Sequence, residues 1–336
     1  MDPLTHAVMG RAVVAALRDE SRNRAIGAAA ILGALSPDVD SALVFAGWDR
    51  YVRAHQFGTH SILGAVATAS LAAGLVAGIG RRVRRPRGDP AAPRPSFAAL
   101  LAASLAGAMS HLALDLASGA RVALAWPLID RRVSLPLAAM ADPWFVAICV
   151  GGLLLLRAGR VPLRTASRGV VAAATIFLCI KAALLVTALG RADLHPATAS
   201  AIEARWASLT EWYVFERTAD VIRASTISSG GGSPIVYLVQ PLASDSPLVG
   251  ASRSLDGVRN FLAVHEFAFA TETSDEDDRV AVMWSDVRYC WAAGRCGVWV
   301  GGVFDRHGRA ITQEVRIGAV VQRRPPLAPS AVEGQR

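Results

Sequence analysis

Five apolar runs, at 25–47, 61–80, 97–118, 143–157 and 169–190, divide the first 190 residues of this 336-residue chain. A helix needs about 20 apolar residues to cross a hydrocarbon core. Most of the runs are near that length, and the fold expected is a mainly α membrane bundle of about five to six helices. The run at 143–157 is the shortest. Residues 4–17 (LTHAVMGRAVVAAL) are helical in pattern but would reach only about 21 Å, which predicts a short helix packed into the bundle. No basic residue precedes that stretch and His6 interrupts it, so it is not read as a cleaved signal peptide. A mean hydropathy of +0.36 is too high for an ordinary soluble enzyme.

The net charge of +8 does not point to nucleic acid, because the arginines gather in short loops between apolar runs. One loop carries Arg81, Arg82, Arg84, Arg85, Arg87 and Arg94, and the next carries Arg157, Arg160, Arg164 and Arg168. The positive-inside rule puts both loops in the cytoplasm of a multi-pass inner-membrane protein, with the C-terminal part outside. His6 then lies 12 residues before the basic turn at Arg18, and Asp38 lies 14 after Arg24. His60 opens the second long run at its outer end, and His111 lies 14 residues beyond Phe97. At about 1.5 Å per residue, independent segments bring these groups to one depth in the outer half of the bilayer. Charged and imidazole groups at membrane depth persist mainly where they meet a partner, an ion or a water-filled cavity.

Three motifs carry the chemistry. In Ser36-Pro37-Asp38-Val39-Asp40 a proline frees backbone carbonyls, and an Asp-x-Asp turn offers hard oxygen ligands or simply caps a helix end. His55 and His60 stand five apart across Gly58, a turn that lets two imidazoles converge on a metal, while Thr59 is a candidate helix cap. His111 and Asp115, at i and i+4, share a helix face. They are read as two ligands, as a ligand and the carboxylate that orients it, or as a plain hydrogen bond bracing the bundle.

The order MDPLTHAVMG, SPDVD, RAHQFGTHS, SHLALD, WPLIDRRVSLP and ADPW resembles the bacterial inner-membrane family of YdjM-like and YfhP-like proteins, described as metal-dependent hydrolases. The resemblance spans about residues 1–190. It implies a helical membrane domain and, by more distant analogy, kinship with zinc-dependent phospholipase C and P1-type nuclease folds. It carries a ligand set onto His6, Asp38, Asp40, His55, His60, His111 and Asp115. Where family members read His-Arg-Gly, this chain has His55-Gln56-Phe57-Gly58, so a cation is missing. Arg53, Arg121, Arg131 and Arg132 are the substitutes for anion recognition, with simple pairing to Asp130, Asp142 or lipid headgroups as the alternative.

After residue 192 the character changes. Residues 193–232, ending in Ser228-Ser229-Gly230-Gly231-Gly232, are expected to be a linker. Runs rich in Val, Tyr, Phe and Trp over 233–324 predict a small β-rich domain, and 325–336 a disordered tail. Ser274 to Asp278 (SDEDD) is read as a solvated turn, and Cys290 and Cys296 as a candidate disulfide. His195, His265 and His307 are expected in surface or packing roles. Lys181, the one lysine, is expected to snorkel or pair inside the bundle.

The function expected is a membrane-embedded hydrolase using a divalent ion, zinc first and manganese second, on a phosphoester of a membrane lipid or lipid-linked substrate. Asp38 or Asp40 would orient the attacking water or accept its proton. The alternatives are a non-catalytic membrane protein with a structural metal or polar network, whose β domain binds an unidentified protein, and an ion or solute transporter. Inverted repeats would favour the transporter, and the sequence has none in evident form.

Overall fold

The computed structural model describes residues 1–17, 23–55, 57–82, 94–159, 161–192, 194, 197–242, 246–274 and 278–325. Gln56, Arg160, His195, most of the first arginine loop, the centre of the SDEDD run and the tail beyond 325 lie outside these. The N-terminal domain is helical: α1 (Pro3–Leu17), α2 (Arg24–Leu35), α3 (Trp48–Ala54), α4 (Ile62–Arg82), α5 (Phe97–Ala117), α6 (Pro143–Arg157) and α7 (Leu163–Arg191). Three of these, α4, α5 and α7, are long and apolar enough to cross a membrane. A fourth span exists if α2 is joined to the 3-10 helix Pro37–Ala46, from which it is bent by 51°. The expected short helix at the N-terminus is α1, and the run at 143–157 is likewise a shorter apolar helix, α6.

Small residues set how closely the first helices approach. A Cβ built on Gly33 of α2 would overlap the backbone of Ser104 in α5, and one on Gly107 of α5 would overlap the carbonyl of Ala30. Helices pack this tightly only where side chains are absent, the usual device inside bilayers. Ser104 adds a hydrogen bond to Ala69 O of α4 at 2.8 Å. The consequence is a fixed register between α1, α2, α4 and α5, the four elements whose ends carry His6, Asp38, His60 and His111.

The break after α2 follows from Pro37, which cannot continue the α-helical hydrogen bonding. Ser36 covers the break by donating its hydroxyl to Gly33 O at 2.9 Å, with Thr68 Oγ1 in contact with the same oxygen at 3.1 Å. Irregular backbone at membrane depth is tolerated where it is buried in protein or lines a cavity.

At the other end of α1, Arg164 and Arg168 at the start of α7 donate to the carbonyls of Ala16 and Leu17 at 3.1–3.4 Å, satisfying a helix C-terminus. These arginines lie at the opposite end of α1 from His6.

The C-terminal domain is β-rich. A first sheet is an antiparallel meander of β1 (Ala199–Ala204), β2 (Glu211–Arg217), β3 (Val221–Ser228) and β4 (Ile235–Pro241). After two short helices, α8 (Pro247–Ser252) and α9 (Asp256–Leu262), come β5 (Ala268–Ser274), β6 (Val280–Asp286), β7 (Cys290–Ala292), β8 (Arg295–Cys296), β9 (Val298–Phe304), β10 (Ala310–Ile317) and β11 (Val320–Arg324). The second sheet has the order β11-β10-β9-β6-β5, and β7 with β8 forms a ribbon closed by the Cys290–Cys296 disulfide. Phe261 and Val258 of α9 pack on Trp284 and Val300 of the second sheet, while Phe215 and Ile222 of the first meet Phe267 and Phe269.

The stretch 193–232, expected as a linker, is corrected here: it holds β1, β2 and β3. The glycine run is the hairpin turn between β3 and β4 and not a tether. Burial of Trp212, Val214 and Ile227 against the end of α7 drives this segment into a sheet despite its polar composition.

The two domains are docked through specific contacts. Buried Lys181 of α7 donates to Ser208 O at 2.9 Å and Leu209 O at 3.2 Å, and its ammonium lies 4.4 Å from the Trp212 ring centre. Trp212 Nε1 donates to Pro136 O, Trp206 Nε1 to Ala141 O, and Trp144 Nε1 to Ala207 O, at 2.9–3.1 Å. On the far side of the interface Asp49 of α3 accepts from Asn260 and Arg324.

Candidate metal centre

His6 and His111 come from α1 and α5, Asp115 from one turn further along α5, Asp38 from the 3-10 segment after α2, and His60 from the Gly58–His60 turn before α4. The rings of His6, His60 and His111 are fully buried. His111 Nδ1 lies 2.7 Å from Ala34 O. A carbonyl only accepts, so the His111 proton is on Nδ1 and its Nε2 carries a lone pair. His60 faces a carboxylate in the same way, Nδ1 lying 3.3 Å from Asp40 Oδ2. The two Nε2 atoms then confront each other across 3.2 Å. Two neutral imidazoles so oriented repel unless a cation or a proton lies between them.

Around that point the donor atoms form a compact set. His60 Nε2 is 3.4 Å from Asp38 Oδ1 and 3.5 Å from Asp115 Oδ2. His111 Nε2 is 3.7 Å from Asp38 Oδ1 and 3.2 Å from Asp115 Oδ2. Zinc–ligand distances of about 2.0–2.2 Å put the corners of a tetrahedron about 3.3–3.6 Å apart, and the five measured edges cluster on that spacing. Buried His6 adds a further donor. Its Nε2 lies 3.2 Å from Asp115 Oδ1 but off the line of a hydrogen bond, so neither ring nitrogen has a hydrogen-bond partner. Such an orphaned pair of buried nitrogens fits a ligand to an ion. The His6 ring stacks on His111 at 3.7 Å, and the N-terminal ammonium lies 2.5 Å from Asp115 Oδ1.

Two groups of three, His6–His111–Asp115 and Asp38–His55–His60, each gather their ligand atoms within 4.8 Å. Buried His/Asp groups of this kind could hold a metal ion. Asp40 stands behind them. It contacts His55 Nδ1 at 3.0 Å and His60 Nδ1 at 3.3 Å, and accepts from Thr59 Oγ1 at 2.9 Å. A carboxylate on the outer nitrogen of a ligating imidazole fixes its tautomer and aim.

His55 opens outward onto a cleft of about 420 Å³ between the two domains. Tyr51 stacks on its ring at 4.6 Å. Burial, then the nearby Asp40 charge, pushes the Tyr51 phenol up to about 12, so it stays protonated.

Of the four arginines expected to recognise an anion, Arg121 and Arg132 line this cleft. Arg121 pairs with Glu266 at 3.1 Å. Arg53 instead donates to Asn260 across the domain interface at 2.8 Å, and Arg131 is exposed and outside the cleft lining. Asp142 caps α6 by accepting from Trp144 and Phe145, and so does not pair with these arginines.

Sequence reasoning missed the opposite wall of the cleft, formed by Glu203, His265, Arg288 and Tyr289. Their positions depend on the packing of β1, α9 and the β6–β7 turn against the bundle, which no local pattern encodes.

The family model described as YdjM inner membrane protein matches residues 1–192. The chain belongs to this family. No curated protein and no solved structure is matched. The match covers α1 to α7 and every His and Asp of the candidate centre, whereas the β domain lies beyond it. The family's inner-membrane description and the apolar helices together make this a membrane protein.

Proposed function

We propose that the chain is a membrane-embedded, metal-dependent hydrolase of a lipid or lipid-linked phosphoester. The observation that carries this reading is the pair of facing Nε2 atoms of His60 and His111, ringed by Asp38, Asp115 and His6 at metal-ligand spacing. A bound zinc-like ion would supply Lewis acidity and lower the pKa of water from about 15.7 toward about 7.

The side chains divide the remaining work. His6, His60, His111 and Asp115 are buried and hold. Asp38 and His55 have side chains about a quarter and a fifth exposed, and His55 lines the cleft. Asp38 is the carboxylate that orients the attacking water. Asp40 holds the His55 proton at Nδ1, which leaves His55 Nε2 free to take a proton from that water and return it to the leaving oxygen. In this assignment Asp40 acts through His55 and His60. Arg121 and Arg132 would neutralise the phosphoryl oxygens.

A lipid substrate is supported by exposed apolar side chains in two segments of the membrane domain. Phe45, in the segment carrying Asp38 and Asp40, is 95% exposed, and Leu128 and Ile129 are 84% and 57% exposed. Apolar side chains that far out of the protein fit an acyl environment. The arginines at the opposite end of the bundle support an extracytoplasmic cleft, as does a disulfide in the β domain.

The test is hydrolysis of phospholipid and isoprenoid-phosphate substrates in mixed micelles by zinc- and manganese-loaded protein. Turnover abolished by chelation and by His55→Ala is the expected result. A metal-replete protein that turns over neither class would favour the bracing reading, in which protein atoms fill every position around the ion.

A further inference from the structure

The two walls of the interdomain cleft differ in what they offer a ligand. On the bundle wall are Arg121 and Arg132. Arg132 Nη2 reaches only Arg53 O at 3.5 Å, and its guanidinium lies 5.0 Å from the Phe57 ring centre. Among the described residues no carboxylate lies within ion-pair distance of it. Burial, then the charge of Arg121, pulls the Arg132 pKa down. Arg121 is forked on Glu266, with Nη2 and Nη1 each 3.1 Å from a carboxylate oxygen, so Arg132 is the cation of this wall without a carboxylate, and it is the one placed to take an anion.

The β wall is the reverse. His265 Nδ1 lies 2.8 Å from Phe261 O, which accepts, so the ring proton is on Nδ1. Burial pushes the His265 pKa down to about 4, so the ring is neutral and its Nε2 only accepts. Tyr289 Oη, 2.9 Å away, must therefore donate its proton to that nitrogen. Its oxygen then presents only lone pairs to the cleft. Arg288 is no donor to a ligand through Nε and Nη2, which are both spent on Asp286 at 2.9 and 2.8 Å. Beside it Glu203, half-buried, adds a carboxylate to the same wall, and burial raises its pKa. Arg288 Nη1 stands 3.9 Å from Glu203 Oε1, so the charges of this wall balance each other and Tyr289 Oη is its neutral acceptor, opposite the uncompensated Arg132.

We propose that the cleft is a two-part substrate site: Arg132 takes the phosphodiester beside the Arg121–Glu266 pair, while Tyr289 Oη, with Glu203 next to it, accepts hydrogen bonds from hydroxyl groups on the esterified alcohol. The ligand class is a membrane phosphodiester with a polyol head group. The phosphate's position beside His55 rests on the hydrolase reading, whereas the preference for hydroxyl donors comes from the β wall alone. A site built to pair with a hydroxyl discriminates strongly against an analogue lacking it, because its acceptors are then buried unpaired.

The experiment is calorimetric binding of dihexanoyl phosphatidylglycerol and dihexanoyl phosphatidylmethanol to the full chain in detergent, with and without chelator. The probes carry the same charge and differ in head-group hydroxyls. The expected result is about tenfold tighter binding of phosphatidylglycerol. Tyr289→Phe should remove most of that ratio, Glu203→Leu should lower it further, and Arg132→Gln should weaken both probes alike. Equal affinity for the two probes in the wild-type chain, or a ratio that survives both β-wall substitutions, overturns the proposal. Turnover of the same probes separates the two readings. Preferential binding without hydrolysis sinks the hydrolase and leaves the cleft, and equal binding with hydrolysis does the opposite.

Discussion

At the residue scale, the centre depends on which nitrogen of each imidazole is already committed. Ala34 O and Asp40 take the outer nitrogens of His111 and His60, and this turns two ordinary histidines into a pair of lone pairs aimed at one point. Asp40→Asn keeps the shape but removes the charge that orients His55 and His60. Metal affinity should fall about 10–100-fold, read by competition against a chromophoric chelator. Unchanged affinity would mean that Asp40 only caps the turn. The seven side chains that the structure gathers around the candidate centre were conspicuous in the sequence, because ionisable groups stand out in apolar runs. It left open which carboxylate ligates and which stands behind, since Asp38 and Asp40 differ by only two positions in a turn whose path is set by packing. The β wall was illegible for a different reason. His265 and Tyr289 are 24 residues apart and meet only in the tertiary fold.

At the element scale, the absence of side chains at Gly33 and Gly107 brings α2 and α5 together and so aligns His111 with Asp38. Gly107→Leu should cost about 1–3 kcal/mol by overpacking, seen as a lower melting temperature in detergent together with metal loss. A normal melt with normal metal would show that α5 tolerates a shift. In the β domain, Asp286 is fully buried between β6 and β7 and bound twice by Arg288. Burial pushes its carboxyl up, but the Arg288 charge and hydrogen bonds prevail and hold it below the ordinary value. A depressed folded-state pKa stabilises above the unfolded value and is lost as pH falls through the folded one. Unfolding followed by tryptophan fluorescence should therefore show stability dropping on acidification into and below the ordinary carboxylate range. In Asp286→Asn that part of the acid dependence should vanish, at an overall cost of about 3–5 kcal/mol for the stranded arginine. The strands β1 to β3 escaped the sequence reading because serines, charged residues and a glycine run mask their alternation. Burial of Trp212 against α7 decides the matter only in three dimensions.

At the scale of the whole molecule, the β domain is a fixed roof, since α7 runs directly into it and Lys181 grips its first hairpin. Lys181→Met would leave two carbonyls without their donor, and a lost buried partner costs about 1–3 kcal/mol. Faster hydrogen exchange over residues 205–212 is the expected signature, and unchanged exchange there would mean that the tryptophan contacts hold the roof by themselves. The bundle was readable because membrane-spanning length and basic loops are local properties, whereas the docking of the roof on the bundle is not. The proposed chemistry requires an ion at the junction of α1, α2, α4 and α5. Its most direct test is elemental analysis of the detergent-purified protein beside a folded His60→Ala, His111→Ala double variant. Stoichiometric zinc or manganese in the wild-type protein and its loss in the variant are the expected result. No bound metal in the wild-type protein, even after reconstitution with either ion, would contradict it.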